Sequence, residues 1–228
     1  MVDVLVVGAH PDDIELGIGA AVARWAAAGY EVAMLDLTSG EPTPFGDPET
    51  RAKEAAEAAR ILGVKTRVTL DLPNRTLTDN PESRRKVAEV YRRLRPEMLF
   101  VQGEVDAHPD HIEGSSLSQK ARFDAKLTKT DMAGEPWYAK KLFFYLASHL
   151  RLNVKPSFIL DVTDTFEKKL EAVHAYKSQF AASGKEEWII ERLRARASYY
   201  GALIGVEYGE PVMCHEEIGL RDLRDIII

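Results

Sequence analysis

Short, strand-like runs alternate with helix-length segments along the first half of this chain, and that alternation leaves few folds open. Val2–Gly8 is a β-branched run without polar alternation, as expected of a strand buried on both faces of a parallel sheet. Leu16–Gly29 follows as a helix stopped by Gly29, then Glu31–Thr38 as a second strand. Ser39–Pro48 holds Gly40, Pro42, Pro44, Gly46 and Pro48 and is a loop. A helix over Glu49–Leu62 has alanines on one face and closes at Gly63. A strand at Arg67–Leu70, a helix over Pro81–Leu94 stopped near Pro96, and a strand at Glu97–Gln102 complete the series. The order βαβαβαβ predicts an α/β, Rossmann-like fold, a mostly parallel sheet with helices on both faces. Farther on come a helix near Ser115–Phe123, strands at Lys141–Leu146 and Ser157–Val162, and helices over Thr163–Tyr176 and Glu186–Leu203. No Gly-, Ser- or Pro-rich linker and no repeat interrupts residues 1–228, so one domain is expected. The apolar tail Asp225-Ile226-Ile227-Ile228 points to a strand or a subunit contact.

Composition narrows the partners. The chain has 45% apolar and 29% charged residues and a formal net charge of −6, with no Lys/Arg-rich run. Nucleic acid and anionic membranes are therefore poor partners. The apolar run from Val4 to Ala9 is too short to span a bilayer, and Met1-Val2-Asp3-Val4 lacks the basic start of a signal peptide. Cys214 is the one cysteine, so no internal disulfide forms, and a cytoplasmic protein is expected.

In open parallel sheets ligands bind at the carboxyl ends of strands. Two expected loops there share the tripeptide His-Pro-Asp: Gly8-Ala9-His10-Pro11-Asp12-Asp13-Ile14-Glu15 after the first strand, and Asp106-Ala107-His108-Pro109-Asp110-His111 after the fourth. Proline fixes φ, which stiffens both segments and suits residues that must be held before a metal arrives. Imidazole and carboxylate both suit Zn²⁺, and a catalytic zinc needs three protein ligands with one position open. His10, Asp13 and His111 supply such a set, which also suits Fe²⁺. Asp12 then lies beside the metal, placed to act as a general base, with His108 and Asp110 as a charge-tuning pair. Adjacent aspartates also serve as turn formers or helix caps, and a lone histidine after a strand is often structural; the repeat of the tripeptide on one sheet edge argues against coincidence.

Two other classes compete. Gly17-Ile18-Gly19, with Asp36 ending the second strand, partly mimics the fingerprint of a dinucleotide-binding oxidoreductase. The third glycine is replaced by Val22, the glycines come nine residues after the strand, and Asp12, Asp13 and Glu15 would repel a pyrophosphate. A non-catalytic metal-binding or structural protein is the third class. Cys214-His215 has no supporting metal-ligand spacing. His149 follows a strand and is expected to be solvated. His174 lies in a helix without a partner, and Trp188, Tyr199 and Tyr200 in the long helix are expected to pack.

The stretch Ala9-His10-Pro11-Asp12-Asp13-Ile14-Glu15 resembles the signature of the LmbE-like, PIG-L-type N-deacetylases, which act on N-acetylglucosamine conjugates. His108-Pro109-Asp110-His111 resembles that family's second motif. Asp36–Glu41, Arg51–Gly63, Tyr176–Phe180 and Gly205–Glu210 extend the likeness over nearly the whole chain, the last two toward the branch that deacetylates N-acetylglucosaminyl-malate in bacillithiol synthesis. The resemblance implies His10, Asp13 and His111 as zinc ligands and Asp12 as general base. It implies His108 as oxyanion stabiliser, kept cationic by Asp110 as its orienting partner. Glu15 has a structural role in it, and Arg51 contacts substrate. It implies a small-molecule sugar conjugate as partner and a homo-oligomer, often a hexamer. Other N-acetylglucosamine conjugates and chitooligosaccharides remain alternative substrates. Arg51 falls in the first turn of a helix, the wrong end for a cation, which either a tertiary or ligand partner or an exposed arginine carrying a small penalty would explain. Asn74 stands where some relatives carry an acidic residue, which bears on substrate detail.

Overall fold

The computed structural model describes residues 1–219. The expected tail contact at 225–228 lies outside the described residues. The strands are β1 (Val4–Gly8), β2 (Val32–Thr38), β3 (Thr66–Leu72), β4 (Met98–Gln102), β5 (Lys141–Tyr145), β6 (Phe158–Asp161) and β7 (Gly209–Met213). All seven form one sheet in the order β3-β2-β1-β4-β5-β7-β6. The first five strands in that order run parallel, and β7 lies antiparallel between β5 and β6. The fold is the expected α/β one, with a mixed edge that the sequence reading missed along with β7.

The helices are α1 (Asp13–Ala27), α2 (Pro48–Leu62), α3 (Pro81–Leu94), α4 (Pro109–Asp124), α5 (Phe166–His174) and α6 (Glu186–Ala202). Alternate residues of β1 reach opposite cores. Val4 and Val6 pack with Ile14 and Val22 of α1, Ala55 and Leu62 of α2, and Phe166 of α5. Leu5 and Val7 pack with Val87 and Tyr91 of α3 and Leu117 and Ala121 of α4. This double burial is why β1 is apolar throughout rather than alternating. No helix among the described residues is long and apolar enough to cross a membrane.

Three helices begin with a cap followed by proline at their first positions: Asp47-Pro48, Asn80-Pro81 and His108-Pro109. Proline suits that place because its missing N–H would be unpaired there anyway. The last of these corrects the expected start of α4 at Ser115. The segment read as a stiff loop is the helix's first turn, so Asp110 and His111 ride on α4. Likewise Asp13 and Glu15 lie in the first turn of α1, not in a loop before Leu16.

Helix α1 is broken at Ile18, whose φ of −139° is not helical. Just past the break, the N–H groups of Ala20 and Ala21 donate to the buried Glu210 carboxylate of β7, at 3.3 and 2.8 Å. Lys169 of α5 pairs with the same carboxylate. An acidic side chain thus caps the second half of α1, which favours negative charge at its N-terminus.

Candidate metal and active site

The carboxyl ends of β1, β2, β4 and β5 open on one cavity of about 1030 Å³, the sheet edge where ligands were expected. His10, Asp12, Asp13, Arg51, His108 and His111 all line it. The two His-Pro-Asp segments are pinned together at their roots, where Ala9 N donates to the Gln102 side chain at 2.9 Å.

Asp13 is the meeting point. Its Oδ2 lies 3.3 Å from His10 Nδ1 and its Oδ1 lies 3.2 Å from His111 Nε2. One ligand atom from each of the three residues falls within 4.8 Å of the others, and all three side chains are buried. The far nitrogen of each imidazole is held by another carboxylate. His10 Nε2 meets Asp110 Oδ2 at 3.1 Å, and His111 Nδ1 meets Asp106 Oδ2 at 2.7 Å. A carboxylate behind each imidazole fixes its orientation and aims the near nitrogen at Asp13, the pattern behind histidine metal ligands. Burial disfavours charge on His10, yet Asp110 and Asp13 outweigh it and push its pKa up to about 10. Burial is outweighed at His111 too, by Asp13 and Asp106, and its pKa rises to about 9. The pocket therefore calls for positive charge between these side chains, and a divalent cation fits that demand. Two neighbouring groupings, His10-His108-Asp110 and Asp106-His111-His149, are less suited. Asp110 already accepts from Arg75 N and Leu77 N, and Asp106 from the N–H groups of Ala107, His108 and His149.

Asp12 has φ of 112°, a left-handed conformation that is strained for any residue with a Cβ. Burial pushes its carboxyl up to about 7, against the pull of the Arg51 guanidinium. Arg51 Nη2 donates to Asp12 Oδ2 at 2.9 Å and to the Pro11 carbonyl. Of the two readings of its place in the first turn of α2, the tertiary partner is the one observed. Arg51 is 3% exposed and also borders the cavity, with its Nε and Nη1 without a protein partner.

The expected pairing of His108 with Asp110 needs correction. The Asp110 carboxylate serves His10 and two backbone N–H groups, and only its backbone N–H reaches His108, donating to Nδ1 at 3.2 Å. An Nδ1 that accepts belongs to a neutral ring with its proton on Nε2. Burial and the neighbouring His111 and His10 also lower the His108 pKa. His108 thus caps α4 through Nδ1, and the Asp110 carboxylate serves His10 rather than His108.

Asp106 is the residue that sequence reasoning missed. Its signal was its place five residues before His111 in the quoted segment. His149 was expected in solvent; its side chain is exposed, yet it lines the cavity 3.5 Å from Asp106 Oδ1. Trp188 also lines the cavity and is 55% exposed, Tyr199 is exposed, and only Tyr200 packs as expected. His174 finds a partner in Glu186. Glu15 is structural as expected, accepting from Arg67 at 2.6 Å and from Tyr176 at 2.9 Å in full burial.

The dinucleotide reading fails on geometry. Gly17 and Gly19 lie inside α1 rather than at a strand–helix turn. A Cβ at Gly17 would come within 2.4 Å of the Tyr145 ring, which explains that glycine by packing. Asp36 is fully buried and held by two nitrogens of Arg67 at 2.7 and 2.8 Å, out of a ribose's reach.

Comparison with known proteins points the same way. Residues 5–121 match the family PIG-L, GlcNAc-PI de-N-acetylase. The chain is 31% identical over 224 residues to diacetylchitobiose deacetylase of Thermococcus kodakarensis, covering 92% of this chain and 81% of that protein. It is 32% identical over 289 residues to 1D-myo-inositol 2-acetamido-2-deoxy-alpha-D-glucopyranoside deacetylase 2 of Catenulispora acidiphila, covering 97% and 92%. A crystal structure of a conserved protein from Thermus thermophilus matches with a TM-score of 0.89 and 41% identity, covering 96% of this chain and 97% of that one.

Proposed function

The chain belongs to the PIG-L family, and from that premise we propose that it hydrolyses the N-acetyl group of an N-acetylglucosamine conjugate in a metal-dependent reaction. The observation that carries this reading is the convergence of His10 Nδ1 and His111 Nε2 on Asp13, with Asp12 alongside. His10, Asp13 and His111 would hold the ion, with zinc the proposed metal and Fe²⁺ the alternative for the same set. The ion would supply Lewis acidity toward the acetamide carbonyl and toward water.

The chain's own groups do the rest. Asp12 takes a proton from the attacking water, and a pKa near 7 leaves it able both to accept and to return that proton. Arg51 positions Asp12 from behind. His108 donates its Nε2–H to the carbonyl oxygen as negative charge develops there. Asp110 and Asp106 fix the two imidazoles. The amide C–N bond breaks, the water oxygen stays on the acetyl carbon, and Asp12 returns its proton to the amine, giving acetate and a free amino sugar.

The finer proposal is that the substrate is N-acetylglucosaminyl-malate of bacillithiol biosynthesis, supported by the likeness of Tyr176–Phe180 and Gly205–Glu210 to that branch. The relatives' names make diacetylchitobiose and inositol-linked N-acetylglucosamine the competing substrates. A cytoplasmic homo-oligomer, up to a hexamer, belongs to the same proposal and is checked by light scattering. Acetate release from these three conjugates, measured after loading with zinc or Fe²⁺, tests the reading. The malate conjugate is expected to be turned over with the highest kcat/KM. Acetate release from none of them under either metal would refute the activity, and a preference for another conjugate would refute the branch.

A further inference from the structure

The cavity carries a charge opposite to that of the chain. Among the described residues its only lining carboxylates are Asp12 and Asp13, at the metal end. Arg75, Arg151, Lys185, Arg192 and Arg196 line the remainder. None of these five makes an ion pair among the described residues, whereas Lys53, Arg60, Arg84, Arg85 and Arg194 elsewhere each do. The formal net charge is −6, so carboxylates are plentiful, yet among the described residues none forms an ion pair with these five, and Glu210 bears on Arg196 only through space. Gathering like charges around one concavity costs repulsion and raises the local concentration of anions.

The wall is organised rather than merely charged. Lys185 caps α6, and Trp188, Ile189, Arg192, Leu193 and Arg196 recur at helical spacing along the face that lines the cavity. The Arg192 guanidinium lies over the Trp188 ring, 4.4 Å from its centroid. Arg196 Nη2 donates to the Leu16 carbonyl at 2.5 Å, close to the metal end. Arg75 donates to the Pro42 carbonyl at 2.7 Å on the other side. A ring or a carbonyl positions each of these guanidiniums, and none of them is held in an ion pair among the described residues. Arg51, outside this wall, pairs with Asp12.

We propose that the α6 wall is an anion subsite: it selects sugar conjugates whose attached group carries a carboxylate or a phosphate, with Arg192, Arg196 and Lys185 as the residues that read the charge. This rests on the deacetylase reading of the same cavity and adds the substrate class and the residues that set it. Neutral conjugates reach the metal end but forgo the charge-assisted contacts.

Two measurements on the metal-loaded full chain test it. Calorimetry compares N-acetylglucosamine 1-phosphate and N-acetylglucosaminyl-malate with the neutral methyl glycoside of N-acetylglucosamine. At least one charged ligand should bind about tenfold or more tightly, as charge-assisted hydrogen bonds imply, and the tighter of the two identifies phosphate or carboxylate. In K185Q/R192Q, two exposed positions that the fold does not need, that ratio should fall toward one; R196Q, nearer the core, is a second variant. R60Q, which removes a cation from α2, should keep the wild-type ratio. Equal binding of charged and neutral ligands by the wild type, or an equal loss in R60Q, overturns the proposal. Acetate release from the same conjugates separates the two readings. Hydrolysis without charge preference refutes the wall alone. Charge-selective binding with no acetate released refutes the deacetylase reading and leaves the wall.

Discussion

Arg51 Nη2 lies 2.9 Å from Asp12 Oδ2, so the cation in the first turn of α2 and the strained aspartate after β1 form one unit. Burial raises the Asp12 pKa to about 7, and Arg51 is the leading influence against that rise. Removing Arg51 by Arg51→Met should therefore raise it further and leave less ionised base at pH 7. The expected result is a drop in kcat/KM of about tenfold at pH 7 that shrinks as pH rises toward 9, because the carboxylate is regained above its pKa. A pH–rate profile checks this. A loss of equal size at every pH would mean that Arg51 acts on substrate instead.

Asp106 stands behind His111 at 2.7 Å while also accepting from three backbone N–H groups. Asp106→Ala should weaken metal binding by about 10–100-fold, the usual effect of losing a carboxylate behind a ligand histidine. Competition with a metal chelator measures it. Unchanged affinity would remove Asp106 from the site.

The pair Lys169–Glu210 is buried, and Glu210 also caps the second half of α1. Glu210→Ala leaves an ammonium buried without its counter-charge and should cost about 3–5 kcal/mol of stability. The double variant Lys169→Met/Glu210→Leu should recover much of that loss, since it removes both charges. Urea unfolding of the three proteins tests the pair. If the double variant were as unstable as Glu210→Ala, the uncompensated charge would not be the cause.

The parallel half of the sheet was legible because β1, β2 and β4 are buried on both faces and are mostly apolar, with Asp36, Thr38 and Gln102 the polar exceptions. Strand β7 was not, because Gly209-Glu210-Pro211 has the composition of a turn and its Glu210 is buried by a tertiary ion pair that no local pattern displays. The candidate trio His10, Asp13 and His111, which the fold brings together, could be named from two copies of His-Pro-Asp. The partners behind it could not: Asp110 meets His10 across a hundred residues, and local spacing suggested His108 instead. Proline at the second position of His108-Pro109 was a helix-start signal, and taking it as a loop stiffener hid the first turn of α4. Arg51 was flagged by its unfavourable place at a helix N-terminus, a local clue that gave the need for a partner but not the partner.

Replacing Asp12 by asparagine tests the account most directly, with bound metal counted by elemental analysis and acetate release measured on the same samples. Asp12 is assigned to the proton and not to the ion. The account predicts full metal content with a rate lower by about 10²–10⁴-fold, the worth of a general base, while His111→Ala loses the metal as well. An Asp12→Asn protein that releases acetate at the wild-type rate, or that loses its metal along with its activity, would contradict it.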